Sequence, residues 1–473
     1  MNSEIWSLSA SELCREYEKG SLSPVEVMDN TLSRLDALNK KINAFVMIDY
    51  EKAKLDAKES ESRWHKKAPL SIIDGIPTSI KDLILTKNWP TLRGSKAIDK
   101  NTNWTEDAPV VERLRESGAI LFGKTTTPEF GHRGTTQSPL TGVTRNPWNI
   151  KLTSGGSSGG SSSAVSSDLG PFSIGTDGGG SVRIPCSFTG IFGIKPTFGR
   201  VAAWPLSPFG TVANIGPMTR TVEDGAMLMQ IIAQPDVRDW HSLVIENANY
   251  VHSSKNSIKG LRIGYSKDWG MSQFLGSNRV EPDIDQTIYD VVLKLEDMGA
   301  IIEEINIEWP RDPKATFEIL WKTGAANLSR QFNQDQKESL DSVFFNFCEE
   351  GKKYNLFQFM DAEANRALNG SYINKFFSNN IDVIVGPTMP ITAFEAENLC
   401  PDGWGEDIFG WTPFTYPFNL TKNPASTMNC GFDSDGLPIG IQVVAPTNMD
   451  ALCFTVSYNL EKKLGLKNKR PKI

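Results

Sequence analysis

Residues 152–185 read LTSGGSSGGSSSAVSSDLGPFSIGTDGGGSVRIP. Two residue types in this stretch can do chemistry. Ser157, Ser158 and Ser181 carry hydroxyls that attack a carbonyl carbon once a base takes their proton. Gly178, Gly179 and Gly180 stand directly before Ser181. Glycines let the backbone approach a ligand closely, and consecutive N–H groups turned inward hold an anion or a developing oxyanion. One turn would then supply both a nucleophile and the donors that stabilise charge on the attacked carbonyl. The same composition also fits a flexible tether, because Gly/Ser tracts are commonly linkers. Three features oppose the tether. Val165, Leu169, Phe172 and Ile174 suit a helix followed by a buried strand. The segment IPCSFTGIFGIKPT that follows is too apolar for a linker. Asp177 and Arg183 lie close to three consecutive glycines.

A serine nucleophile needs a base, and histidine is scarce: His65, His132, His241 and His252 are the four in the chain. The G-x-S-x-G pattern of a hydrolase elbow occurs twice, centred on Ser157 and on Ser158. That arrangement needs an acid and then a histidine downstream. Only His241 and His252 lie there, both in a polar segment, and WNIKLTSGGSS is a poor strand end. A phosphate loop is not written here either. There is no G-x-x-x-x-G-K-[ST], and no G-x-G-x-x-G opens a helix after the first strand. Lysine is the remaining base, provided burial keeps it neutral. Lys81 sits in GIPTSIKDLIL, an otherwise apolar context. A solvated Lys81 beside Asp82 near a helix start is the competing reading.

The elements that must hold these residues alternate between helix and short strand. Ser23-Pro24 offers an N-cap followed by Pro at the first helical position, and Val25, Val27, Met28, Leu32, Leu35 and Leu38 follow at helical spacing. Residues 71–85 read as a turn, a short strand and an apolar run containing Lys81. Residues 110–124 read as a helix ending at Gly118 and then a buried strand. Residues 283–299 and the AIIEEINI that follows repeat that order. GLRIGYS (260–266) and IDVIVGP (381–387) are β-branched runs that suit buried strands. The pattern is that of an α/β protein with an internal sheet. No repeat of fixed period is present. A polar, weakly periodic stretch at 234–260 reads as a hinge or insertion between the 150–233 block and a C-terminal half.

Composition narrows the class. With 473 residues, 39% hydrophobic and 22% charged, the chain can bury a large core. A formal net charge of -7 and the lack of a dense basic run argue against nucleic acid as a partner. No run of about 18 apolar residues spans a membrane, and the first twenty residues lack the basic and apolar regions of a secretory signal. Cys14, Cys186, Cys348, Cys400, Cys430 and Cys453 are scattered, with no C-x-x-C pair. They read as reduced thiols of a cytoplasmic protein. No Cys/His cluster or H-E-x-x-H points to a metal.

At this point several blocks are similar, together and in order, to the amidase signature family. GGSSGGSSSAV, GTDGGGSVRIP and GIFGIKPTFGRV resemble its signature region, and GIPTSIKDLI resembles its lysine segment. GKTTTPEF, GVTRNPWN, IGPMTRTVEDGAMLM, IDVIVGPTMP and NPASTMNCGFDSDGLPIGIQVVAP resemble further family blocks, so the likeness runs from about residue 8 to 460. The resemblance implies one domain over residues 1–473, with a signature core at about 65–233. A C-terminal half at about 260–465 completes the sheet and the substrate pocket. The implied fold is a large, mixed, twisted central sheet covered by helices on both faces.

The resemblance also implies a Ser-cisSer-Lys triad without cofactor or metal. Ser181 is then the nucleophile. Ser157, 24 residues earlier, is the bridging serine, which precedes a cis peptide in this family. Lys81 is the base. The backbone N–H groups of Gly178, Gly179, Gly180 and Ser181 form the oxyanion hole, and Asp177, Arg183 and Ser158 support the site. A turn-stabilising ion pair is an equal reading of Asp177 and Arg183. Departures from the family pattern are Ser154, where Pro is frequent, Lys422, where Gly is common, and minor variants at Thr153-Ser154 and Gly178. The Lys422 loop is expected to alter substrate access.

The implied activity is hydrolysis of a small carboxamide to a carboxylate plus ammonia or an amine, by a cytoplasmic enzyme, with a homodimer as the expected assembly. WPLSPFG (204–210) and WGEDIFGWTPFTYPF (404–418) are unusually aromatic. They read either as core or dimer interface, or as an apolar wall for the acyl group. Two other functions stay open. One is the A-type component of a tRNA-dependent glutamine amidotransferase, which passes ammonia to a partner. Against it, AAWPLSPFGTVANIGPM looks more like stand-alone amidases. The other is a silent binding homologue, which the intact Lys81, Ser157 and Ser181 oppose.

Overall fold

The structure is a computed structural model that describes residues 5–244 and 248–473. Its frame is a sheet of eleven strands drawn from both halves of the chain. In chain order these are β1 (Phe45–Ile48), β2 (Pro77–Lys81), β3 (Ile120–Thr125), β4 (Phe172–Asp177), β5 (Phe192–Lys195), β6 (Asn214–Thr219), β7 (Arg262–Tyr265), β8 (Ile301–Glu304), β9 (Val383–Pro387), β10 (Ala425–Phe432) and β11 (Pro438–Val444). Their spatial order is β1-β3-β2-β4-β6-β5-β10-β11-β9-β7-β8. The central pairings β2–β3 and β2–β4 are parallel, as are β7–β8 and β7–β9, whereas β5, β6, β10 and β11 join antiparallel. The fold is thus α/β with a mixed sheet, as the sequence pattern and the family likeness required.

Strands inside the sheet, such as Ile120–Thr125 and Val383–Pro387, are buried throughout, which explains why they read as continuous apolar runs. Val383, Val385 and Val443 pack into one core, while Ile384 and Val444 pack into another. The period-2 alternation of a strand produces this division. It also decides where Lys81 points. Ile80 joins the first core, so Ser79 and Lys81 face the other side, where the Ser79 hydroxyl meets Ser173 Oγ at 2.8 Å.

Local signals are read out faithfully at several helices. Pro24–Ile42 starts at Ser23, whose side chain and Glu26 form a reciprocal capping box. Pro109–Glu116 precedes β3, and Pro282–Asp297 precedes β8, in the helix-then-strand order of the sequence. The Ser/Gly tract is no tether. Residues Gly159–Ser166 form a helix in which every residue is buried. Its hydroxyls bond inward: Ser163 donates to the Arg145 carbonyl at 2.8 Å and Ser166 to the Thr189 carbonyl at 2.7 Å. Small polar side chains are needed here because buried hydroxyls must find acceptors and the packing leaves no room for more.

Some segments differ from the sequence reading. WNIKLTSGG ends a real strand, Asn149–Thr153, but it pairs with Arg145–Asn146 in a separate ribbon outside the main sheet. The 234–260 stretch carries one short helix, Tyr250–Ser253, and its residues 245–247 lie outside the described residues, as do residues 1–4 at the start of the chain. Lys422 does not line the cavity described below. It holds φ at 65°, which accounts for glycine being common at this position, and its ammonium lies 5.0 Å over the Phe198 ring beside a surface depression shared with Glu363 and Arg366. Among the described residues no helix is long and apolar enough to cross a membrane.

Candidate active site

Lys81 ends β2 with no exposure to solvent, and its amine meets three hydroxyls. Nζ lies 2.7 Å from Ser157 Oγ, 2.8 Å from Ser158 Oγ and 2.9 Å from Thr176 Oγ1. Among the described residues no carboxylate forms a hydrogen bond or ion pair with it. Burial pushes the amine well below the ordinary lysine range, and only the more distant charge of Asp177 opposes this. The solvated pair with Asp82 is not what forms. Asp82 instead stands 3.7 Å from the buried Lys124 and accepts hydrogen bonds from the N–H groups of Leu92 and Gly94.

Thr176 belongs to β4, the strand beside β2, and Ser157 and Ser158 lead into the serine-rich helix that packs over both. The peptide between Gly156 and Ser157 is cis, so the cis bond lies before Ser157 and not after it. The Ser158 hydroxyl donates to the Thr176 carbonyl at 3.1 Å and accepts from the Thr176 N–H at 3.3 Å. Ser157 Oγ has no such ties: Lys81 is its hydrogen-bond partner among the described residues. Ser181 is tied to the same corner, because its carbonyl accepts from the Ser158 N–H at 3.1 Å.

The glycine turn is shaped from both sides. Asp177 and Arg183, both without solvent exposure, form a two-pronged ion pair at 2.9 and 3.0 Å. That pair, with Asn419, outweighs burial and holds the Asp177 carboxyl well below the usual carboxylate range. Arg183 also donates to the Thr415 carbonyl, Gln442 and Asn419, so every prong of the guanidinium is used. Of the four N–H groups expected to face an oxyanion, Gly180 is a correction. Its N–H donates to Asp177 Oδ1 at 2.8 Å and is therefore committed to the turn itself. The N–H groups of Gly178, Gly179 and Ser181 have no protein acceptor among the described residues. Glycine is required here for a second reason. A Cβ on Gly178 would lie 2.7 Å from the Trp321 ring, and one on Gly179 would lie 2.6 Å from Phe317.

Those rings come from helix Pro313–Ser329 in the second half of the chain. Phe209, Trp321, Phe317 and Tyr416 stack in series beneath the turn, with centroids 3.8, 5.0 and 5.2 Å apart. Their contribution escaped the sequence reading, although Phe317 and Trp321 stand four apart on one helix face. Thr176 was also missed, and its only signal was its place in GTDGGGS.

Ser157, Thr176, Gly178 and Ser181 open onto one cavity of about 130 Å³. Residues 203–209 form part of its wall, together with Leu83, Phe130 and Trp321. The aromatic stretch at 204–210 thus lies at the cavity. Most of the 404–418 stretch is core, with Trp411, Phe414, Tyr416 and Phe418 buried, while Phe409 reaches a smaller space next to Ser181. Among the described residues no histidine lines the larger of these two cavities. His132 borders the smaller one, where burial holds its imidazole down at about 3 and Nδ1 meets the Glu129 carbonyl at 2.7 Å. His241 lies against Phe198 and Trp240, and His252 is exposed. Among the described residues no three His, Cys, Asp or Glu side chains group as metal ligands.

One stability prediction arises from the ion pair. Arg183→Met leaves a buried Asp177 carboxylate without its cation, and breaking such a pair costs about 3–5 kcal/mol. Urea unfolding followed by tryptophan fluorescence should show a loss of that size. A loss under about 1 kcal/mol would mean that the remaining donors suffice to hold the turn.

Comparison with known proteins places this geometry. The family model described as Amidase matches residues 26–454. An acylamidase of Rhodococcus erythropolis is 35% identical, covering 98% of this chain and 97% of that protein. The A-type component of the glutamyl-tRNA(Gln) amidotransferase of Halothermothrix orenii is 32% identical over 99% of this chain and 100% of that protein. Among solved structures, a 6-aminohexanoate cyclic dimer hydrolase complexed with substrate superposes with a TM-score of 0.90 at 25% identity, covering 99% of both chains. With a family match this long, and relatives this similar over their whole length, the chain belongs to the amidase signature family and is a hydrolase of amide bonds.

Proposed function

We propose that the protein is a stand-alone amidase working through Lys81, Ser157 and Ser181, by way of an acyl-enzyme on Ser181. The observation that carries this reading is the buried Lys81 amine among three hydroxyls. A neutral amine has two N–H groups and one lone pair, so it donates twice and accepts once. Ser158 uses its own hydrogen on the Thr176 carbonyl, which makes it an acceptor for Lys81. Ser157 and Thr176 both keep a hydrogen free for the lone pair, and in this reading Ser157 is the one that gives it. The proton path therefore runs from Ser181 through Ser157 to Lys81, with Ser158 and Thr176 holding the amine in place.

Ser181 Oγ attacks the amide carbon as its proton moves to Ser157 and the Ser157 proton moves to Lys81. The carbonyl oxygen becomes an oxyanion facing the N–H groups of Gly178, Gly179 and Ser181. The C–N bond breaks as the leaving nitrogen takes a proton back along the same path. Water, deprotonated by the same relay, then attacks the acyl-enzyme and releases the carboxylic acid and Ser181.

The amidotransferase reading remains the rival, because a relative of that kind is nearly as similar as the acylamidase. The two part on one experiment. The purified chain alone, without ATP or tRNA, should release ammonia or amine from simple alkyl and aryl amides. Release from glutamine only, and only with a partner chain present, would favour the amidotransferase.

A further inference from the structure

The amidase reading leaves one charge on the cavity wall without a role. Arg93 is the one ionisable residue lining the cavity onto which Ser157 and Ser181 open, among the described residues. Its guanidinium has no hydrogen-bond, ion-pair or ring partner among them. Burial nevertheless holds it below the usual arginine range, with Asp82 the charge that opposes this. Arg93 is half-buried, and the arginines that are fully buried are treated differently. Arg183 pairs with Asp177, Arg220 with Asp168 and Arg133 with Asp341, and Arg366 donates to the Leu420 carbonyl. Even partial removal of a guanidinium from water without supplying acceptors is unfavourable.

The backbone holds Arg93 in place all the same. Its φ is 56°, a left-handed conformation uncommon outside glycine, and Gly94 follows at 65°. Asp82 clamps this turn by accepting from the N–H groups on either side, Leu92 at 3.2 Å and Gly94 at 3.4 Å. The Arg93 carbonyl accepts from the Phe130 N–H at 2.8 Å. Strained backbone that its surroundings fix this firmly is characteristic of ligand clamps.

We propose that Arg93 recognises a carboxylate, and that the preferred substrates are amides bearing a carboxylate away from the scissile bond. The proposal rests on the amidase reading and deepens it. A planar guanidinium pairs with both oxygens of a carboxylate. A single cation on the wall balances one negative charge, whereas a phosphate would call for more. The neutral, apolar neighbours Leu85, Ala108, Pro205 and Leu206 fit a short hydrocarbon spacer between the two groups.

The test measures binding first, so that it does not depend on turnover. Ser181→Ala protein is titrated with matched pairs, read by the fluorescence of Trp204 and Trp321 at the cavity. The pairs are succinamate with butanamide, glutaramate with pentanamide, adipamate with hexanamide, and N-acetyl-β-alanine with N-propylacetamide. At least one carboxylate should bind about ten-fold more tightly than its partner. Adding Arg93→Gln should erase that preference, and Arg93→Lys should restore part of it. If Arg93→Gln fails to fold, the same pairs titrated against Arg93→Lys must still show a reduced preference. Equal binding within every pair, no binding of any carboxylate, or a preference untouched by the Arg93 variants would overturn the proposal. Turnover of the same compounds by the wild type separates the two readings. Hydrolysis that persists in Ser181→Ala would overturn the amidase site itself. Ser181-dependent hydrolysis without carboxylate preference would overturn only the role of Arg93.

Discussion

Ser181→Ala is expected to abolish amide hydrolysis, with kcat falling by about 10⁴–10⁶. The size follows from what is lost. Without the hydroxyl no acyl-enzyme forms, and only binding and the oxyanion donors remain to assist attack by water. The fold should hardly notice. The side chain is small, and the tie from its carbonyl to the Ser158 N–H runs through the backbone and survives the substitution. Ammonia release under saturating amide, with unfolding midpoints measured alongside, checks both statements. A decrease under about ten-fold with an intact fold would remove Ser181 from the nucleophile's role.

Lys81→Met should lower kcat by about 10²–10⁴, and Lys81→Arg should not rescue it. An arginine carries the charge but cannot lose it in a protein, so it cannot take the proton that Ser157 hands on. The pH dependence has a definite sign. The relay needs the neutral amine, so kcat/KM rises with pH as Lys81 loses its proton and then levels. Burial moves that rise well below the ordinary lysine value. Stability shifts in the same direction. Between the lowered value in the folded chain and the ordinary lysine value near 10.4, the unfolded chain binds the extra proton. The Lys81 contribution to unfolding free energy therefore grows with rising pH across that window and is lost as pH falls through the folded value. Lys81→Met should flatten both curves relative to wild type. A rate profile flat from about pH 5 to 9 in the wild type would count against a lysine base.

Much of this was legible in the chain itself. Helix starts such as Ser23-Pro24 with Glu26, and the helix-then-strand order at 109–125 and 282–304, depend on contacts within a few residues. Local chemistry writes such features directly. Of the residues that the family resemblance singled out, the structure brings Lys81 and Ser157 within hydrogen-bond distance and opens Ser157 and Ser181 onto one cavity. Strands β5, β6, β10 and β11 are buried like β3 and β9, but Gly, Pro, Asn, Ser and Thr interrupt their apolar residues, so they do not stand out as β-branched runs.

Tertiary structure decided what sequence spacing cannot encode. That Ser158 keeps no free hydrogen for Lys81 is decided by the Thr176 carbonyl, which takes it. The N–H of Gly180 turned out to serve Asp177. The cushion beneath the glycines arrives from Phe317 and Trp321, more than a hundred residues away. The sequence determined the fold class, because residue type and local pattern fix it, and it named the candidate groups. Only the folded chain determined the partners of each group, because hydrogen bonds and desolvation depend on what long-range packing brings within a few ångströms.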